Sequence, residues 1–170
     1  MAEVDWRGMA AGYDLRPAWR RDDAAIEADA IDFWGRLDIL PSDVRPEERA
    51  KELAAVAYQD GRIVGVTTAS LGRLEQVRAR LAMLRGAVEP EHRRSYVAQA
   101  LALYTRELIE AWSRDNPHER VGGLGAIIES PDLVARQKQP FWPMTRFGLI
   151  GYAPNGRQIR VSWFEDFRLD

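Results

Sequence analysis

The stretch Ala87-Val88-Glu89-Pro90-Glu91-His92-Arg93-Arg94-Ser95-Tyr96-Val97-Ala98 decides the reading of this chain. Its left end closes an extended run, Arg80 to Val88, and its right end opens a long helix over about residues 94–113. Val97, Leu101, Tyr104, Leu108 and Trp112 recur at helical spacing and mark the buried face of that helix. Asn116-Pro117 ends it. A helix that starts directly after a strand presents unpaired N–H groups and about half a positive charge, which suits a phosphate. Arg93 and Arg94 add two cations to that start. The same pair also reads as solvated charge, and spacing leaves both readings open.

Toward the N-terminus, Leu53 to Gln59 and Arg62 to Ser70 flank Asp60-Gly61, the dipeptide of a type I′ hairpin. Before them, Asp22-Asp23 caps a helix whose face is Ile26, Ala30, Phe33, Trp34 and Leu37. Pro46-Glu47-Glu48 opens a second, short helix. Tyr13 to Pro17 fits a short first strand, and residues 1–11 read as a loose tail. Toward the C-terminus, Val121 to Glu129 is an apolar strand with three glycines, followed by a helix started by Ser130-Pro131-Asp132. Gly148 to Ala153 and Gln158 to Phe164 form a last hairpin, with Ile159, Val161 and Trp163 alternating against Arg160 and Ser162. A strand, a helix and a strand in succession make a parallel pair. The fold class is therefore α/β with a mixed sheet of six or seven strands flanked by about four helices, in one domain over residues 1–170.

Composition narrows the function. There are 24 basic and 26 acidic residues, a net charge of −2, and no basic stripe to follow a nucleic-acid backbone. The absence of cysteine removes disulfides, thiol nucleophiles and thiolate metal sites. His92 and His118 lack metal-ligand or triad spacing, so no metal is expected. No apolar run reaches membrane-spanning or signal-peptide length. The expectation is a cytoplasmic protein with no membrane or nucleic-acid partner.

The order of elements, together with Val88-x-Pro90-x-x-Arg93-Arg94-x-x-x-Ala98, resembles the GNAT superfamily of acyl-CoA N-acyltransferases over about residues 12–167. The family motif Gln/Arg-x-x-Gly-x-Gly/Ala falls here on Arg93, Arg94, Ser95, Tyr96, Val97 and Ala98. The resemblance implies that these backbone amides cradle the pyrophosphate of acetyl-CoA or another acyl-CoA. It also implies that Ala87 and Val88 pair through their main chain with the pantetheine arm. The acceptor implied is the amine of a small molecule. The family's first motif glycine is Tyr96 here, whose side chain either points away from the phosphates or blocks them.

Acyl transfer to an amine needs a group that takes the amine proton. Glu129, at the end of the glycine-rich strand, is the candidate, though a helix-flanking role explains it equally well. Glu89, Glu91 and His92 are expected to face solvent. Counting back five residues from Phe147 puts Trp142 where the resemblance implies a tyrosine acid on the last helix. Indole cannot serve as that acid at neutral pH. Phe141 and Trp142, with Phe147 and Trp163, either line an apolar acceptor pocket or belong to the core. Glycines 122, 123 and 125 either admit a ligand or allow tight packing. Two further readings stay beside the enzyme: a CoA-binding domain of the same fold with weak or lost turnover, and a dimeric interaction module. A homodimer is compatible with each.

Overall fold

The structure, a computed structural model, describes residues 5–169. Its elements run α1 (Trp6–Met9), β1 (Asp14–Pro17), α2 (Ala24–Leu37), α3 (Pro46–Ala50), β2 (Leu53–Gln59), β3 (Arg62–Leu74), β4 (Ala79–Val88), α4 (Val97–Asp115), β5 (Val121–Ile127), α5 (Pro131–Arg136), β6 (Phe141–Trp142), β7 (Phe147–Tyr152) and β8 (Gln158–Trp163). The strands form an eight-stranded mixed sheet in the order β1-β2-β3-β4-β5-β8-β7-β6. The pair β4/β5 is parallel, as the intervening helix requires, and their register runs from Arg80↔Val121 to Met83↔Gly125. Among the described residues no helix is long and apolar enough to cross a membrane.

Two elements exceed the expected count. The two-residue strand β6 carries no alternation that a sequence could display. The helix α1 replaces part of the expected loose tail: Asp5 caps it, and Trp6 lies 4.3 Å from the ring of Tyr104 while donating to Glu107. Residues 1–4 of that tail lie outside the described residues.

The chain divides into two compact units, one comprising the residues up to Ala69 with Arg85–Ile109, the other Ser70–Leu84 with the residues from Glu110 on. In the first unit β2 is buried along nearly its whole length, as a central strand covered on both faces must be. Val56 and Tyr58 join Ile26, Phe33 and Trp34 of α2 in one cluster. Ala55 and Ala57 point the other way, to Val97 and Leu101 of α4. Each large apolar side chain so buried contributes roughly 1.5–3 kcal/mol relative to exposure. The capping of α2 is local: the Asp23 carboxylate accepts from the N–H groups of Ala25 and Ile26, and the helix ends on Asp38 at φ +50°. Asp60 and Gly61 adopt φ +51° and +77°, the two left-handed residues of a type I′ turn.

In the second unit, Ala79, Leu81 and Val161 form a cluster covered by Met83, Ile150, Trp163 and Phe167. The three glycines of β5 are explained by this packing. A Cβ on Gly122 would meet the Phe167 ring at 2.7 Å, one on Gly125 would meet Met83 Sδ at 2.7 Å, and one on Gly123 would strike the backbone of Ser162.

Candidate functional site

The turn between β4 and α4 lies wholly in the first unit. β4 ends on Val88, Pro90–His92 make one turn of 3₁₀ helix, and α4 begins at Val97, three residues later than the sequence suggested. Residues 93–96 are thus connecting backbone. The His92 carbonyl holds that backbone, accepting from the Ser95 N–H at 3.2 Å and the Ser95 hydroxyl at 2.6 Å. Tyr96 then takes φ +63°. This is the left-handed conformation that favours glycine, and it falls at the position where the motif has one. The Tyr96 side chain is 55% exposed. A backbone shape normally made by glycine is therefore present with a tyrosine in it.

Beyond Tyr96, the N–H groups of Val97, Ala98 and Gln99 occupy the first helical turn, where an α-helix supplies no internal acceptor. The Gln99 Oε1 atom is buried there without a hydrogen-bond partner. Arg94 is exposed and has no carboxylate partner among the described residues. Arg93 differs: its Nε donates to the Val88 carbonyl at 3.1 Å. Ala87 and Val88, the main-chain candidates, sit beside Gly65 of β3, whose hypothetical Cβ would lie 3.3 Å from a Val88 methyl and 3.5 Å from the Ala87 carbonyl oxygen.

The expectation that Glu89 and His92 face solvent is wrong. Glu89 is 2% exposed, and its carboxylate is paired with Arg36 of α2 and, at 3.1 Å, with Arg62 of β3. His92 Nε2 lies 3.8 Å from the same carboxylate, and its Nδ1 shares a 2.8 Å hydrogen bond with the Tyr13 hydroxyl. Arg36 also donates to the Ile63 carbonyl and to Asp32, each at 2.9 Å, and these carboxylates hold its guanidinium above its ordinary pKa. Alternation along β4 would have sent Glu89 outward. The chain leaves the strand at Val88, however, so two consecutive residues turn inward. Arg36, Arg62 and Tyr13 carry no motif that could have announced them.

The remaining candidates lie in the second unit. Glu129 follows β5 with its side chain 70% exposed and 3.5 Å from Arg157. Trp142 is in strand β6; the last helix ended at Arg136, so the counted position of a helical acid does not exist here. The indole is buried, donates to the Gln137 carbonyl at 3.1 Å, and is covered by the Arg160 guanidinium 3.7 Å from its ring centre. Phe147 is buried, and Trp163 stacks on Phe167 at 5.7 Å. Of the four aromatics considered for a pocket, Phe141 is the exposed one, at 50%.

No protein-family model and no curated protein matches the sequence. Solved structures do match. An acetyltransferase of the GNAT family from Streptococcus pneumoniae is similar with a TM-score of 0.53 and 15% identity, covering 89% of this chain and 99% of that one. A diaminobutyrate acetyltransferase from Paenibacillus lautus, in complex with L-2,4-diaminobutyric acid and coenzyme A, gives 0.51 and 16% identity over 92% and 98%. The architecture is thus that of the GNAT acetyltransferases. In this chain the turn after β4 carries Tyr96, in the left-handed conformation, where the motif has glycine.

Proposed function

We propose that this protein is an acyl-CoA-dependent N-acyltransferase that moves an acetyl group to the amine of a small molecule. The observation that carries the reading is Tyr96 at φ +63°, which keeps the motif's backbone shape while its ring stays exposed. In this reading the amides of Tyr96 to Ala98 and the Arg94 guanidinium hold the pyrophosphate, each charge-assisted contact contributing about 1.5–3 kcal/mol. Ala87 and Val88 present the main chain to pantetheine, and Arg93 exchanges its bond to the Val88 carbonyl for a phosphate oxygen.

The amine nitrogen then attacks the thioester carbon, a C–N bond forms, and the C–S bond breaks. A general base takes the proton from the amine, and the residue that the sequence offers for this is Glu129. Its contact with Arg157 is an exposed ion pair, worth about 0–1 kcal/mol and easily released. Phe141 is the exposed aromatic offered for an acceptor, and Trp142 is held in that segment under Arg160. The CoA thiolate takes its proton from water.

A second reading, a CoA-binding domain with little turnover, is favoured by one observation. Tyr96 puts a side chain at the turn position where the motif has glycine. Thiol release from acetyl-CoA across a panel of small amines separates the two. Release that depends on an amine supports the enzyme, and CoA binding without release supports the binder.

A further inference from the structure

The buried carboxylate of Glu89 lies outside the proposed chemistry, yet it sits between the last residue of β4 and the phosphate turn. Both its oxygens are engaged, one by Arg36 and the other by Arg62 at 3.1 Å. Its N–H donates to the Val64 carbonyl at 2.8 Å, and its carbonyl accepts from the His92 N–H at 2.9 Å. The other end of the turn is held from a different direction, by the 2.8 Å bond from His92 to Tyr13. Glu89 and His92 are thus fastened to α2, to β3 and to the residue before β1. Of the residues between this anchorage and the helix, Arg93, Arg94 and Tyr96 are exposed and Ser95 is half-buried. The foundation of the turn is inside and its working surface is outside.

We infer that Glu89 is a positioning residue for the phosphate group of acyl-CoA: its ion pairs with Arg36 and Arg62 set the turn that places Arg94 and the amides of Tyr96 to Ala98. The inference rests on the CoA reading above. A carboxylate held by two guanidiniums fixes direction as well as distance, because each guanidinium presents its donors in a rigid plane. Removing a negative charge close to a phosphate site would, by Coulomb's law, tighten anion binding. Loss of position weakens it. The two effects have opposite signs, so the direction of change reports which one operates.

The test is calorimetric titration of wild type and Glu89→Gln with acetyl-CoA, well below the melting temperature of either, with kcat measured at saturating acetyl-CoA. The inference expects Kd to rise at least tenfold and kcat to stay within about twofold. An unchanged or tighter Kd overturns it, as does a loss confined to kcat. If Glu89→Gln does not fold, Arg62→Gln decides, because it removes one of the two ion pairs at an exposed side chain. A Kd at least threefold weaker supports the anchorage, and an unchanged Kd overturns it. Wild type that fails to bind acetyl-CoA overturns the CoA reading and this inference with it, and so is distinguishable from a failure confined to the variants.

Discussion

Arg93 turns back on the strand it follows and caps the carbonyl of Val88, with Nε and oxygen 3.1 Å apart. Arg94 makes no such bond, so the two neighbours are not equivalent. Arg94→Ala should weaken CoA by about 10–100-fold, the loss of one charge-assisted contact, and leave the melting temperature of the free protein nearly unchanged. Arg93→Ala should weaken CoA and also lower the melting temperature, because the Val88 carbonyl loses its partner. Calorimetric titration and thermal melts of both variants check this. An Arg93→Ala protein as stable as wild type would show that the bond contributes nothing.

Tyr96 carries a backbone cost. A non-glycine residue at φ +63° is strained by about 1 kcal/mol or somewhat more. Tyr96→Gly should therefore raise the melting temperature by about 2–4 °C, and Tyr96→Ala, which keeps the strain, should not. A glycine variant that melts lower than wild type would mean that the exposed ring makes a stabilising contact.

The placement of Trp142 reverses an expectation drawn from the motif. A tyrosine there would not supply a catalytic proton, because the side chain is buried in β6 beneath Arg160. Trp142→Tyr should lower stability without speeding thiol release, and Trp142→Ala should cost about 3–5 kcal/mol. Chemical denaturation and a thiol-release assay measure the two effects. Faster release by the tyrosine variant would restore the acid's role to this position.

Tyr58 sets a limit on alkaline stability. Burial, and then its 2.6 Å bond to the Asp29 carboxylate, push its hydroxyl well above the tyrosine range. The folded state keeps this proton where the unfolded chain, with a pKa of about 10, releases it. Its contribution is complete below pH ~10 and is lost as pH rises beyond that toward the folded value. Tyr104, raised by burial, acts in the same direction. Tyr58→Phe should be less stable at pH 8 and should lose less stability between pH 9 and 11. Urea melts across that range test it, and equal slopes would contradict it.

The elements legible in the sequence were those written in local chemistry. Asp60-Gly61 specifies its hairpin through two positive φ angles, Asp23 and Ser130 cap the helices that follow them, and β4-α4-β5 forces a parallel pair. What escaped was set by distant partners. Glu89 is buried because Arg36 and Arg62, 53 and 27 residues earlier, reach it. The strand β6 is two residues long and exists because β7 pairs with it. The turn between β4 and α4 stood between these cases. Its residues could be named from the motif, but whether Tyr96 kept the glycine shape depended on a backbone angle.

The central claim is that this turn holds coenzyme A, and calorimetric titration of the wild-type protein with coenzyme A tests it most directly. Saturable binding at one site per chain is expected, with a Kd in the micromolar range that weakens as salt is raised. Titration without binding heat, joined by an unchanged melting temperature at millimolar coenzyme A, would contradict it.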